Sequence, residues 1–144
     1  MPTVNDILNR KGRDVVSLAV DQSVLSAARL MNDRSIGGIV VTDGGQVVGI
    51  FTERDILRRV VAEQRDPGST PLRDVMTSPV MRCTTDAKID QCMTVMTEKR
   101  LRHMPVEDGD DVVGIVTSGD ILAFRVVEQQ DTIEHLNRYV FDLR

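Results

Sequence analysis

Val47-Val48-Gly49-Ile50-Phe51-Thr52-Glu53-Arg54-Asp55-Ile56-Leu57 is answered further along by Val112-Val113-Gly114-Ile115-Val116-Thr117-Ser118-Gly119-Asp120-Ile121-Leu122. The two stretches lie 65 positions apart, counted from Gly49 to Gly114. The same offset pairs Val15 with Val80, Asp21 with Asp86, Met31 with Met96, Val41 with Val106 and Asp43-Gly44 with Asp108-Gly109. A fixed offset that holds over so much of a chain marks an internal duplication. Near the start the register moves to 68, where Asp6-Ile7-Leu8 matches Asp74-Val75-Met76, so the first copy carries three extra residues around Arg10-Lys11-Gly12.

Each copy predicts the same order of elements. A short strand (Val15 to Leu18; Val80 to Cys83) leads into a helix whose apolar positions Val24, Ala27, Ala28 and Met31 recur as Ile89, Cys92, Met93 and Met96, at the spacing of one helical face. Two strands follow, Gly38 to Thr42 and Val47 to Phe51, then Met104 to Glu107 and Val112 to Val116 in the second copy. Asp-Gly between the apolar runs predicts tight hairpins, because glycine accepts the positive φ such turns require. A closing helix should begin at Thr52 and at Thr117, each a hydroxyl N-cap with an aspartate in the first turn. Gln64 to Pro71 reads as a linker by its Pro, Gly and polar content, which divides the chain into residues 1–66 and 67–144. The last helix keeps an apolar series (Ile121, Leu122, Phe124, Val127, Ile133, Leu136, Val140) well beyond its counterpart in the first copy. A stripe of that length predicts self-association.

The bulk numbers bound the function. A chain of 144 residues with 41% hydrophobic and 28% charged residues is of ordinary globular composition. A net charge of −4 argues against a broad nucleic-acid footprint, which needs a basic surface to displace counterions. No apolar run reaches the roughly 18–20 residues of a membrane span, and Met1 to Asp6 lacks the pattern of a secretory signal. The expected compartment is the cytoplasm. Cys83 and Cys92 have no metal-site spacing and read as reduced, buried thiols. There is no GxSxG, no phosphate-binding Walker loop, no paired histidine ligands and no Cys-His pair with an orienting third group, so the expectation is a protein without catalytic chemistry.

The order strand, helix, hairpin ending in Gly-hydrophobic-x-Thr-x-x-Asp, helix, present twice, resembles the CBS domain pair, or Bateman module. Phe51-Thr52-Glu53-Arg54-Asp55 and Arg100-Leu101-Arg102-His103-Met104-Pro105-Val106 are similar to segments of stand-alone bacterial and plant-organelle members. The resemblance covers nearly the whole chain. It implies an α/β (α+β) fold in which two pseudo-symmetric βαββα modules pack through their sheets. It also implies two clefts for an adenosyl ligand, AMP first, with ADP, ATP and NAD as further members of the class, and a homodimer that signals to an effector protein in trans. The alternative is a dimerisation scaffold that binds no ligand.

The motif chemistry agrees. Thr52 and Asp55, like Thr117 and Asp120, stand three apart at a helix start and face the same way. An ionised aspartate there can accept both hydrogens of a ribose cis-diol, and first-turn amides favour phosphate. In the resemblance each cleft takes Thr and Asp from one module and its remaining wall from the other. One cleft then joins Thr52, Arg54 and Asp55 to Pro79, Val80 and Met81 and to Arg102, His103 and Met104. The other joins Thr117, Gly119 and Asp120 to Asp14, Val15 and Val16 and to Gly37, Gly38 and Ile39, where the glycines replace Arg102 and His103 and the phosphate clamp is lost. Adenine is expected among aliphatic groups such as Val80, Met81 and Ile50. The Arg10-Lys11-Gly12-Arg13 insert offers a replacement for the missing charge, and as a solvated linker it would offer nothing.

Overall fold

A computed structural model describes the backbone of residues 1–141 and the side chains of residues 1–137. Of the expected apolar tail series, the Val140 side chain lies outside the described residues. The elements run α1 (Val4–Lys11), β1 (Ser17–Ala19), α2 (Val24–Arg34), β2 (Gly38–Asp43), β3 (Gln46–Thr52), α3 (Glu53–Asp55), β4 (Cys83–Thr84), α4 (Ile89–Lys99), β5 (His103–Asp108), β6 (Asp111–Thr117) and α5 (Ser118–Phe141).

They form two three-stranded sheets of identical topology. β1 pairs parallel with β2, which pairs antiparallel with β3, and β4, β5 and β6 repeat that arrangement. The duplication extends to register. Gly38 faces Thr52 and His103 faces Thr117, and the irregularity after Val41 recurs after Val106. Both hairpins turn at the Asp-Gly segments, where Gly44, Gly45 and Gly109 adopt φ of 58°, 81° and 63°.

The leading strands differ from expectation. β1 starts at Ser17 rather than Val15, and β4 is only Cys83–Thr84 rather than Val80 to Cys83. Val16 still accepts a hydrogen bond from Val40 N at 3.0 Å, but it lines one hollow together with Asp14, and Pro79 to Met81 leave the sheet to line another. The first closing helix also departs from a regular α-helix. After α3 the chain widens through a π-turn over Ile56–Val61, with Ala62 N on Leu57 O at 3.0 Å and Arg65 N on Val60 O at 2.9 Å; such wide turns recur at functional positions.

Packing crosses the two halves. Val4, Ile7 and Leu8 of α1 are buried in the core of the second sheet with Ile89, Met96, Met104 and Val116. Leu72 and Val75, just past the linker, are buried in the core of the first with Val24, Met31, Ile39 and Phe51. The motif glycines make this exchange possible. A Cβ on Gly114 would sit 2.8 Å from Leu8 Cδ2, and one on Gly49 would sit 2.5 Å from Met76 Sδ. The linker is pinned as well, since Val24 N and Leu25 N, opening α2, donate to Thr70 O and Pro67 O. α5 contributes Ile121 and Phe124 to the second core and leaves Leu122, Val126, Ile133 and Leu136 exposed. No helix among the described residues is long and apolar enough to cross a membrane.

Candidate functional site

Two hollows lie where the halves meet. The first, about 660 Å³, is walled by Thr52, Arg54 and Asp55 from one half and by Arg100, Arg102 and His103 from the other. A neighbouring hollow of about 350 Å³ shares Ile50, Thr77 and His103 with it and adds Pro79, Val80 and Met81. The structure therefore brings together the residues expected around Asp55, apart from Met104. Met104 is buried in the second core, because β5 alternates its faces and turns this side chain away from the cleft where His103 stands.

The N-cap geometry is built as the motif predicts, with Thr52 N donating to Asp55 Oδ2 at 3.0 Å. The carboxylate is not an open diol acceptor. Its side chain is 7% exposed, Oδ1 accepts from Thr77 Oγ1 at 2.9 Å, and Arg59 Nε stands 3.6 Å from the same oxygen. Arg59 is further held by Met76 O, to which Nη1 donates at 2.6 Å. Arg54 reaches across the halves and donates to Arg100 O at 2.9 Å. Arg58, Arg59, Lys99 and Arg100 complete a wall in which six cations face Glu53 and Asp55. Of the added residues, Arg59 was findable as the i+4 partner of Asp55, whereas Thr77 comes from a segment with no motif.

The second hollow, about 380 Å³, is lined by Val16, Gly37, Gly38, Thr117, Gly119 and Asp120, as expected, and also by Lys11, Arg102 and His103. Arg102 and His103 stand between the hollows and line both. Gly38 is where the imidazole rests, since a Cβ there would lie 3.0 Å from His103 Cδ2 and 3.1 Å from Nε2. Loss of side chains at Gly37 and Gly38 thus does not strip the Asp120 hollow of cations. Burial pushes the His103 imidazole below its ordinary value, against the pull of Glu53 and Asp120 and aided by Lys11 and Arg102. In its neutral form an imidazole can donate or accept a hydrogen bond but carries no charge. Ile39 is fully buried in the first core, and Val15 is outside the walls of the hollow. Asp120 repeats the cap, with Thr117 N donating to Oδ2 at 2.9 Å and Asp120 N donating to Thr117 Oγ1 at 3.0 Å. Where Asp55 is paired with Arg59 at 3.6 Å, Asp120 is paired with Lys11 at 2.6 Å.

Neither cysteine is in a disulfide. Cys92 is buried in the second core with Cys83 packed against it, and a hydrogen bond with Cys92 together with burial pushes the Cys83 thiol up. Among the described residues no group of three His, Cys, Asp or Glu side chains is placed to hold a metal ion.

The CBS domain family model matches residues 4–62 and 72–127. Along the sequence, the chain is 31% identical over 147 aligned residues to the mitochondrial CBS domain-containing protein CBSX3 of Arabidopsis thaliana, covering 96% of this chain and 71% of the relative. In three dimensions it is similar to a signal-transduction protein with CBS domains from Burkholderia ambifaria, with 36% identity, a TM-score of 0.87, and coverage of 89% of this chain and 96% of that one. It is also similar to the CBS domain pair of protein MJ0100 in complex with 5′-methylthioadenosine and S-adenosyl-L-methionine, with 27% identity, a TM-score of 0.78, and coverage of 89% and 98%. With the motif duplicated, both sheets built alike and the family model matched twice, the chain belongs to the CBS-domain family as a tandem pair.

Proposed function

We propose that this CBS pair is a regulatory sensor of adenine nucleotides without catalytic chemistry, acting on an effector protein in trans. The observation that carries the reading is the hollow beside Asp55, whose walls come from both halves and carry six cations against two carboxylates. A phosphate group fits that balance, because charge-assisted hydrogen bonds to an anion are the strong ones. The adenosyl class is supported by the MJ0100 pair, which holds 5′-methylthioadenosine and S-adenosyl-L-methionine. Within the class AMP, ADP, ATP and NAD share the adenosine and differ in phosphate charge. Ile50, Val80 and Met81 supply aliphatic walls for the base. A ligand touching both halves favours whichever relative placement it binds more tightly and so shifts the population of surfaces offered to a partner.

The rival scaffold reading has its own observation. Leu57 and Val61 are exposed on one half, and Leu122 and Val126, each 65 positions on, are exposed on the other. These matching apolar pairs suit a homodimer through both modules and α5, with or without a ligand. A thermal-shift panel of AMP, ADP, ATP, NAD, NADH and S-adenosylmethionine decides between them. A ligand at about 100 times its Kd adds about 2.7 kcal/mol, which for a chain of this size raises Tm by about 5–10 °C. A panel that moves nothing rejects the sensor and leaves the scaffold.

A further inference from the structure

The three extra residues that break the repeat place a lysine on the second motif aspartate. Lys11 Nζ donates to Asp120 Oδ2 at 2.6 Å and to Ile115 O at 2.9 Å. The contact spans 109 positions of sequence and joins the end of α1 to the start of α5. In the other half the corresponding carboxylate, Asp55, accepts a neutral hydroxyl from Thr77 at 2.9 Å, with Arg59 standing off at 3.6 Å. Two hollows built on one framework therefore differ in what covers the aspartate: an alcohol with a guanidinium at 3.6 Å in one, a directly bonded ammonium in the other.

Lys11 is held in place by its neighbours. Arg10 lies over the Phe124 ring at 4.6 Å, and Arg13 Nη2 donates to Asn5 Oδ1 and Asn9 Oδ1 at 2.8 and 2.7 Å. All three cations of the insert thus have a partner within the molecule, which argues against a freely solvated linker. The Lys11 side chain is 35% exposed and that of Asp120 23%, so the pair is accessible enough to be opened by an incoming ligand. A sugar diol that uses Asp120 must first take the place of the ammonium, at the cost of a short charge-assisted hydrogen bond.

The geometry points to Lys11 as a specificity-determining residue: a tethered cation that competes with a nucleoside for Asp120 and raises the ligand concentration at which that hollow fills. This rests on the adenine-nucleotide reading above. It differs from a role as a replacement phosphate ligand, because Nζ is turned to the carboxylate and a backbone carbonyl. The two roles predict opposite effects when the charge is removed.

The test is an NMR titration of the full chain with adenosine and, separately, AMP, following the Gly119 amide for the Asp120 hollow and the Thr77 amide for the Asp55 hollow. In the parent protein each amide should report the midpoint of its own hollow. In Lys11→Met the Gly119 midpoint should fall about three- to tenfold for both ligands, the range expected for losing one partly exposed ion pair with a hydrogen bond, while Thr77 keeps its midpoint. Lys11→Arg, which keeps the cation, should behave as the parent. An unchanged Gly119 midpoint in Lys11→Met overturns the proposal while the Thr77 response upholds the nucleotide reading. A midpoint that rises for AMP alone overturns it too and makes Lys11 a phosphate ligand. If neither amide responds in any variant, the nucleotide reading fails and takes the proposal with it. A melting temperature for each variant confirms that the titrated protein is folded.

Discussion

Thr77 Oγ1 donates to Asp55 Oδ1 at 2.9 Å and so fastens the start of the second half to the floor of the cleft formed with the first. The same residue exchanges backbone hydrogen bonds with Ile50, at 3.0 and 2.8 Å. The side-chain bond is the separable part of this junction. In Thr77→Val the backbone bridge remains, but a nearly buried carboxylate loses one donor, a loss of about 1–2 kcal/mol. Urea denaturation should show that decrease with an unchanged m-value. A variant as stable as the parent would mean that Arg59 takes over the vacated oxygen.

The exchange of segments between the halves makes a second prediction. Leu8 is buried against Gly114, where a Cβ would lie 2.8 Å from Cδ2. Gly114→Ala should overpack that contact and cost about 1–3 kcal/mol, and Leu8→Ala should cost about 2–5 kcal/mol by leaving a cavity. Placed together they should be less harmful than their sum by at least about 0.5 kcal/mol, because the new methyl enters space the leucine vacated. Additive losses in a double-mutant cycle would show that the two residues do not share the contact.

Much of this architecture is legible in one sequence because the duplication supplies an internal control. Gly49 and Gly114, or Asp55 and Asp120, can be equated without any other protein, and the Asp-Gly turns fix the hairpins between them. The starts of β1 and β4 are less legible, since a strand of two or three residues paired on one edge carries too few apolar positions to set its register. The partner of α1 is legible only obliquely. The move of the offset from 65 to 68 shows that something is inserted, but nothing local says that Leu8 packs on Gly114 or that Lys11 meets Asp120. Ile39 and Met104 sit one position beyond the true cleft residues Gly38 and His103, and strand alternation alone carries them into the cores.

His103 ties stability to pH. Its imidazole is held below its ordinary value chiefly by burial, while in the unfolded chain it titrates near about 6.5. Between those two values the unfolded state binds more protons, so stability rises with pH in that window. The protein should lose stability as pH falls below about 6.5, and the loss should level off once the folded imidazole is also protonated. His103→Gln, which keeps a planar polar group against Gly38, should flatten that part of the profile. Denaturation midpoints from pH 7.5 to 5 that keep the same slope in the variant would assign the effect to other groups.

Substitution of Arg102 should separate sugar from phosphate recognition. It lines both hollows, and among the described residues its side chain makes no salt bridge and donates no hydrogen bond, unlike Arg54 and Arg59, which are bound to backbone carbonyls. Arg58, Lys99 and Arg100 share that freedom, but of the six cations of the Asp55 hollow Arg102 is the one that also lines the other hollow. Loss of one charge-assisted hydrogen bond, about 1.5–3 kcal/mol, corresponds to roughly a 10- to 100-fold weaker affinity. Arg102→Ala should weaken AMP by that factor in calorimetric titration and leave adenosine within about twofold, because the nucleoside has no group for the guanidinium to meet. The AMP effect should shrink as salt is raised, as expected for a solvent-accessible charge. Equal losses for AMP and adenosine would instead make Arg102 a support for the shape of the cleft, and an unchanged AMP affinity would remove it from phosphate recognition altogether.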